Sequence, residues 1–196
     1  MKLYLVRHGE TDWNIQNKIQ GKTDTVLNET GRKQAQALAG LLKESYTIDA
    51  VYTSPQKRAL ETAQVIGREM GIDPIIKQGL EEMSLGKWEG YSWRQVRELF
   101  PAEYGIWHEN RRYQLPPEGE SYQQLLDRLL EALNGIIAEN TGNVLIVTHS
   151  AAIMTLMSYI YDTPFEDMAR NYKTGNTEIV ELDPALLQER CRAGSE

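Results

Sequence analysis

Cysteine is nearly absent from this sequence of 196 residues, which contains only Cys191. A single cysteine allows no disulfide within the chain, and such sparse use is typical of proteins in a reducing compartment. The apolar run that follows Met1 and Lys2 is also too short for the hydrophobic region of a secretion signal. We therefore expect a cytoplasmic protein. We do not expect Cys191 to be a catalytic thiol, because it lies in a polar tail with no histidine close in sequence.

Long apolar runs and an excess of positive charge are missing as well. No apolar stretch approaches the roughly 20 residues that a membrane-spanning helix needs. The 28 Asp and Glu residues outnumber the 21 Lys and Arg residues, so the net charge is −7. Proteins that bind nucleic acid usually present a basic surface. The composition argues against a membrane protein and against a nucleic-acid partner, but it leaves room for a local cationic pocket.

Histidine is scarce, yet two of the three histidines occupy equivalent positions. His8 follows the apolar run 3–6, and His149 follows the apolar run 144–147. A lone histidine at the end of a strand is more often a structural residue than a catalyst, but independent structural histidines would rarely repeat the pattern. The third, His108, has no metal-ligand spacing and is interpreted as a cap or surface residue.

Apolar strand-like runs alternate with amphipathic helical patterns, which predicts an α/β protein with a mostly parallel sheet and right-handed crossovers. The length is that of one domain, residues 1–196. A polar and aromatic stretch at about 87–118 resembles a cap insertion over the sheet. Strands are predicted at 3–6, 48–52, 75–77 and 144–147, with an edge strand at 177–182. Helices are predicted at 31–43, 55–70, 93–100, 121–140, 151–161 and 164–168, followed by a polar, frayed tail from 183.

Ligands of open α/β sheets bind at the carboxyl ends of the strands, where His8 and His149 are expected to meet. Arg7 precedes His8 and offers a fork of donors that matches phosphate oxygens. Gly9 would let the backbone approach a ligand closely. These residues predict an anion site at this edge of the sheet.

Arg58 is expected in the first turn of a helix that begins with Ser54 as N-cap and Pro55 as first helical residue. A cation there opposes the helix dipole, so a bound anion would explain it, whereas a solvated surface pair is the alternative. Glu81 and Glu82 could be acid–base groups or solvated charges. Only one of the two would face a given site, because neighbours in extended chain point to opposite faces.

The ordered set of these motifs resembles the histidine phosphatase superfamily, also called the phosphoglycerate mutase-like or RHG proteins. A lone Arg-His-Gly would be weak evidence, but the set covers nearly the whole chain in the right order. The matching positions are 5–11 with Trp13 and Asn14, then Gly21, Thr23, Leu27, Gly31, Ser54, Pro55, Arg58, Glu82, the loop 86–90, 119–121 and 147–149.

The resemblance implies a three-layer α/β/α sandwich with a mostly parallel central sheet and a small helical and aromatic cap. It also implies that His8 is the nucleophile that becomes phosphorylated, and that Glu82 is the general acid. The groups that would bind the phosphoryl oxygens are Arg7, Arg58 and His149. Secondary phosphate or substrate contacts would be Asn14, Gln20, Gly21 and Thr23. Such a site needs no metal and no cofactor, because arginine and histidine can stabilise the charge on the phosphoryl oxygens.

Two features separate the branches of this superfamily. The loop 86–90 and the modest length resemble the phosphatase branch, whereas Arg111 and Arg112 resemble the paired arginines that mutases use on substrate anions. In a phosphatase, this pair would bind a carboxylate or second phosphate of the substrate, with a position in solvent as the alternative. We expect a metal-independent phosphomonoesterase acting on a small, anionic or sugar-like phosphorylated metabolite. A cofactor-dependent phosphoglycerate mutase is the alternative, and a phosphate-binding regulatory module with little turnover is an alternative of another class. The physiological substrate and the oligomeric state, including a homodimer, stay open.

Overall fold

The computed structural model describes residues 1–193, and a five-stranded sheet forms their centre. The order across the sheet is β3-β2-β4-β1-β5. Strands β1 to β4 pair parallel to one another and β5 lies at the edge, as the sequence predicted, whereas the antiparallel direction of β5 against β1 was not predicted. The strands are β1 (Leu3–Arg7), β2 (Ala50–Thr53), β3 (Ile75–Ile76), β4 (Val144–Thr148) and β5 (Ile179–Leu182).

Helices cover both faces of the sheet, so the predicted three-layer α/β/α architecture is confirmed. Alternate residues of β1 and β4 enter two separate cores, one packed against α2 and α3 and the other against α6, α7 and α9. Burial on both faces explains why these strands read as continuous apolar runs. The helices are α1 (Asp12–Ile15), α2 (Glu29–Ser45), α3 (Lys57–Met70), α4 (Trp93–Leu99), α5 (Pro101–Glu109), α6 (Tyr122–Glu139), α7 (Ser150–Ile160), α8 (Met168–Tyr172) and α9 (Pro184–Ala193).

The start of α3 differs from the prediction. Ser54 does not cap the helix, which begins at Lys57 after Gln56 in extended conformation. The Ser54 hydroxyl instead lies 2.8 Å from Nε2 of His149, and the Gln56 side chain reaches the Gly21 carbonyl and the Glu82 amide. These tertiary partners hold Ser54 and Gln56 outside the helix, so the first helical turn begins two residues later than predicted.

The C-terminal segment is also different from the prediction. The tail expected to be frayed forms α9, because Leu187 is fully buried and Nε of Arg190 donates to the Tyr159 carbonyl at 3.0 Å. Residues 194–196 of that tail lie outside the described residues. The turn predicted at 164–168 is present, since the Asp167 amide donates to the Pro164 carbonyl at 2.9 Å, and α8 follows it from the buried Met168.

The cap consists of α4 and α5, which join at Pro101. This proline ends the predicted helix and, as first residue of α5, begins a second helix that the sequence did not predict. Stacked indole rings of Trp93 and Trp107, with centroids 5.4 Å apart, hold the two helices together, and Trp88 packs edge-on against Trp107. Within residues 1–193, no helix is long and apolar enough to cross a membrane.

Candidate active site

The register of β1 and β4 brings the two strand-end histidines together. Arg7 pairs with Thr148, and the His8 amide donates to the Thr148 carbonyl at 3.0 Å. The rings of His8 and His149 therefore lie side by side, with centroids 5.2 Å apart. Both side chains are buried at the carboxyl edge of the sheet.

The hydrogen bond made by His8 decides which ring nitrogen is reactive. Nδ1 lies 2.7 Å from the Gly9 carbonyl, and because a carbonyl only accepts, Nδ1 carries the proton. Nε2 therefore keeps its lone pair. Burial, followed by the charges of Arg58 and Arg7, holds the pKa of His8 well below its ordinary value. A neutral imidazole with a free Nε2 can act as a nucleophile.

In His149 the two ring nitrogens exchange roles relative to those of His8. Its Nε2 lies 2.8 Å from the Ser54 hydroxyl, whereas its Nδ1 has no hydrogen-bond partner in the described part of the chain. Burial, followed by the charge of Arg58, lowers the pKa of His149 well below its ordinary value. One ring nitrogen is thus fixed by the protein, and the other remains available to a ligand.

Two buried guanidinium groups make the site cationic. Arg58 is fully buried and donates to the carbonyls of Gly21 and Thr23, each at 2.8 Å, and Arg7 donates to the Thr174 carbonyl at 2.7 Å. Burial lowers the pKa of Arg7 and lowers that of Arg58 to about 10, so both stay charged at neutral pH. Among residues 1–193 neither arginine has an ion-pair partner, and the Nε of each is unpaired. Because a buried charge without a partner is costly, the arrangement fits an anion.

Glu82 faces this cationic centre. Its carboxylate accepts from the Met83 amide at 3.0 Å and from the Ala151 amide, at the N-terminus of α7, at 3.3 Å. The neighbouring Glu81 points away and lies 3.5 Å from Arg128. As the alternation of extended chain predicted, only one of the two carboxylates reaches the site.

A cavity of about 410 Å³ opens over these groups. Of the predicted site residues, the cavity is lined by Arg7, His8, Asn14, Gln20, Gly21, Arg58 and Glu82. The His149 ring is beside that of His8, with centroids 5.2 Å apart, but does not itself line the cavity. Apart from the aromatic cap, to which Trp93 belongs, sequence reasoning did not assign the remaining wall to the site. That wall includes Lys18, Ile19, Met83, Leu85, Trp93, Tyr122, Met154 and Lys173.

Three predicted binding residues do not line the cavity. The amide and hydroxyl of Thr23 donate to Glu89 at 2.9 and 2.6 Å. Arg111 lies over the Trp107 ring, and Arg112 lies over Phe165 while donating to Gln123 at 2.8 Å. Thr23 is thus bound within the loop and Arg112 within the cap, whereas the buried Nε of Arg111 has no hydrogen-bond partner in the described chain.

Gly9 and Gly21 both lie where a side chain would clash with a neighbouring segment. A Cβ on Gly9 would lie 2.5 Å from the Gly31 carbonyl, so Gly9 serves close approach of two backbone segments rather than of a ligand. Gly21 has a φ of +50°, and a side chain there would clash with the Glu89 carboxylate.

Asn176 is a site residue that sequence reasoning missed. Its Nδ2 donates to the His8 carbonyl at 2.9 Å and lies 3.4 Å from Oδ1 of Asn14. No motif marks this loop residue, because its role depends on where the loop before β5 folds. Within residues 1–193 no group of three or more His, Cys, Asp or Glu side chains could hold a metal ion.

Comparison with known proteins places this site in a family. The family model described as histidine phosphatase superfamily (branch 1) matches residues 3–192. Over 158 residues the chain is 38% identical to phosphoglycerate mutase-like protein 4 and 36% identical to a metal-independent phosphoserine phosphatase, both from Arabidopsis thaliana. These matches cover 79% of this chain and 69% and 66% of the two relatives, so the chain spans about two thirds of their length.

A solved structure shares nearly the full fold of this chain. A mycobacterial glucosyl-3-phosphoglycerate phosphatase superposes with a TM-score of 0.82 and 28% identity, covering 93% of this chain and 92% of that one. The family model, the plant relatives and this fold agree with one another and with the paired histidines at the sheet edge. The chain belongs to branch 1 of the histidine phosphatase superfamily, and phosphatases are among its relatives.

Proposed function

We propose that the protein is a phosphomonoesterase that acts through a phosphohistidine on His8, without a metal or cofactor. The observation that carries the proposal is the neutral, buried His8 with a free Nε2 beside the guanidinium groups of Arg7 and Arg58, whose Nε atoms have no hydrogen-bond partner in the described chain. A nucleophile and its charge-stabilising donors are thus in place before substrate binds. The phosphatases among the relatives support the same reaction class.

In the first step, Nε2 of His8 attacks the phosphorus atom, and the bond from phosphorus to the ester oxygen breaks. Arg7, Arg58 and the free Nδ1 of His149 bind the three peripheral oxygens, where negative charge is spread in the transition state. Glu82, in its acid form, gives a proton to the departing alkoxide so that it leaves as an alcohol.

In the second step, Glu82 acts as a general base. Its carboxylate takes a proton from a water molecule whose oxygen attacks the phosphohistidine, and the bond from phosphorus to Nε2 breaks. Inorganic phosphate leaves, and His8 and protonated Glu82 are restored. One difficult displacement is thereby divided into two easier ones.

The rest of the cavity supports a small substrate with a second anionic or hydroxylated end. A volume of about 410 Å³ lies within the range of small-metabolite sites. Lys18 and Lys173 line it instead of the arginine pair expected from the sequence, while Trp93 and Tyr122 give it an apolar wall. A phosphorylated acid or sugar phosphate would match this combination of cationic and apolar surface.

Phosphate release from a panel of phosphomonoesters, with chelator present, tests the proposal. We expect release by the wild type and a loss of at least about a thousandfold in His8→Ala, because the nucleophile is removed. Interconversion of 2- and 3-phosphoglycerate only when bisphosphoglycerate is added would instead indicate a mutase. Phosphate binding without release or phosphohistidine would indicate a regulatory module.

A further inference from the structure

We propose that Arg128, held by Glu120, is a positioning residue for Glu82. The inference rests on the proposed function, since it concerns the group that protonates the leaving alcohol. Glu82 lies in a segment, residues 79–84, without helix or strand of its own. Its backbone polar groups therefore need partners from elsewhere in the fold.

Arg128 supplies those partners from α6. Its Nη1 donates to the carbonyls of Gly79 at 3.0 Å and Glu81 at 2.8 Å. Its Nη2 donates to the carbonyl of Glu82 itself at 3.0 Å. One side chain thus donates hydrogen bonds to three carbonyls of the segment that carries Glu82.

Glu120 fixes the guanidinium in turn. Nε and Nη2 of Arg128 donate to its two carboxylate oxygens at 3.0 and 2.7 Å, a bidentate geometry that orients the plane of the guanidinium. The same carboxylate accepts from the Ser84 amide at 2.7 Å, so the far end of the segment is tied to the pair as well. Burial opposes the charge of Glu120, but the hydrogen bonds and charge of Arg128 lower its pKa, which keeps the pair ionised.

Arg128 acts on Glu82 without reaching the cavity. It lines a separate surface groove together with Gly79 and Glu81, whereas Glu82 lines the cavity. On the other side, the Glu82 amide donates to Gln56 at 2.7 Å. Both peptide groups of Glu82 are therefore held, the amide by Gln56 and the carbonyl by Arg128.

The consequence concerns proton transfer to the leaving group. Proton donors work within hydrogen-bond reach, and a displacement of about 1 Å can cost on the order of a hundredfold in rate. Lysine keeps the charge at position 128 but cannot reproduce the planar fork of five donors. Arg128→Lys should therefore release Glu82 from its position while leaving the phosphate-binding residues intact.

Substrates with different leaving groups separate this role from general destabilisation. The leaving group of glycerol 3-phosphate is an alkoxide, which is a poor leaving group and needs a proton. The leaving group of p-nitrophenyl phosphate is a stable phenolate, which does not. For Arg128→Lys we expect kcat/KM to fall about a hundredfold with the former and about threefold or less with the latter. The ratio kcat/KM is used because it covers the steps up to departure of the alcohol and omits the later hydrolysis.

Three further variants complete the experiment. In a Glu82→Gln background, Arg128→Lys should cause no further loss, because the acid is already gone. Glu120→Gln should show the same substrate dependence with a smaller loss, and it decides the question if Arg128→Lys does not fold. Arg94→Lys, which changes an arginine paired with Glu98 on the exposed face of α4, is the matched control with no expected effect.

The outcomes are distinguishable from failure of the proposed function. Wild-type protein that releases phosphate from neither substrate would refute the phosphatase and the inference together. Active wild type with equal losses for both substrates in the Arg128 and Glu120 variants would refute the positioning role alone. A further loss in the Glu82→Gln background would refute it as well.

Discussion

The burial of His8 and His149 links the chemistry of the site to the stability of the protein. Burial and the neighbouring arginines lower the pKa of both side chains, whereas an unfolded histidine titrates near a pKa of about 6.5. As pH falls below that value, the unfolded state therefore binds more protons than the folded state, and folding loses stability.

We expect the free energy of unfolding to decrease between pH 7 and pH 5, by up to about 1.4 kcal/mol per histidine and pH unit below 6.5. Urea denaturation in phosphate-free buffer measures it. His8→Asn should have a shallower pH dependence, while His108→Asn, at an exposed cap position, should follow the wild type. An identical slope in His8→Asn would contradict the assignment of a neutral, buried His8.

Arg58 is expected to determine phosphate affinity, because it is a buried cation without an ion-pair partner in the described chain. A ligand that binds only the folded state stabilises it, by about 2.7 kcal/mol at a concentration of 100 times Kd. Phosphate should therefore raise the melting temperature of the wild type but not of Arg58→Met. Arg32→Met, which removes an exposed arginine paired with Glu61, is the control and should keep the response. A full response in Arg58→Met would exclude Arg58 from the anion site.

At the scale of elements, α2 offers a matched pair of leucines that tests the core packed against α2 and α3. Leu42 is fully buried, whereas its neighbour Leu41 is 49% exposed. Leu42→Ala should lower the free energy of unfolding by about 2–5 kcal/mol through lost burial and a cavity. Leu41→Ala should change it by no more than about 0.5 kcal/mol. Denaturant titration compares the two, and similar losses would show that the helix face is assigned incorrectly.

Elements were predictable from the sequence where local pattern and tertiary structure agree. The apolar runs of β1 and β4 were recognisable as strands because both of their faces are buried. Prediction failed where a side chain has a distant partner. Serine is a residue type favoured at helix N-caps, but the Ser54 hydroxyl contacts His149, 95 residues away in the sequence.

At the scale of the whole molecule, the site depends on segments that meet only in the folded chain. His8, His149, Arg7 and Arg58 could be inferred together because each lies beside a recognisable strand end or helix start. Lys18, Asn176 and Lys173 could not, since each reaches the site through a loop whose path the local sequence does not specify. Arg111 and Arg112 looked suitable by charge, but the folded cap directs them onto aromatic rings.

The most direct test of the account is detection of a phosphoryl group on His8. Protein mixed with p-nitrophenyl phosphate is quenched in alkali, where phosphohistidine survives, and is examined by intact-mass and peptide-mass spectrometry. We expect the label on His8 in the wild type, accumulation in Glu82→Gln because hydrolysis of the intermediate slows, and none in His8→Ala. Phosphate release by the wild type, with no label on His8 even in Glu82→Gln, would contradict the phosphohistidine mechanism.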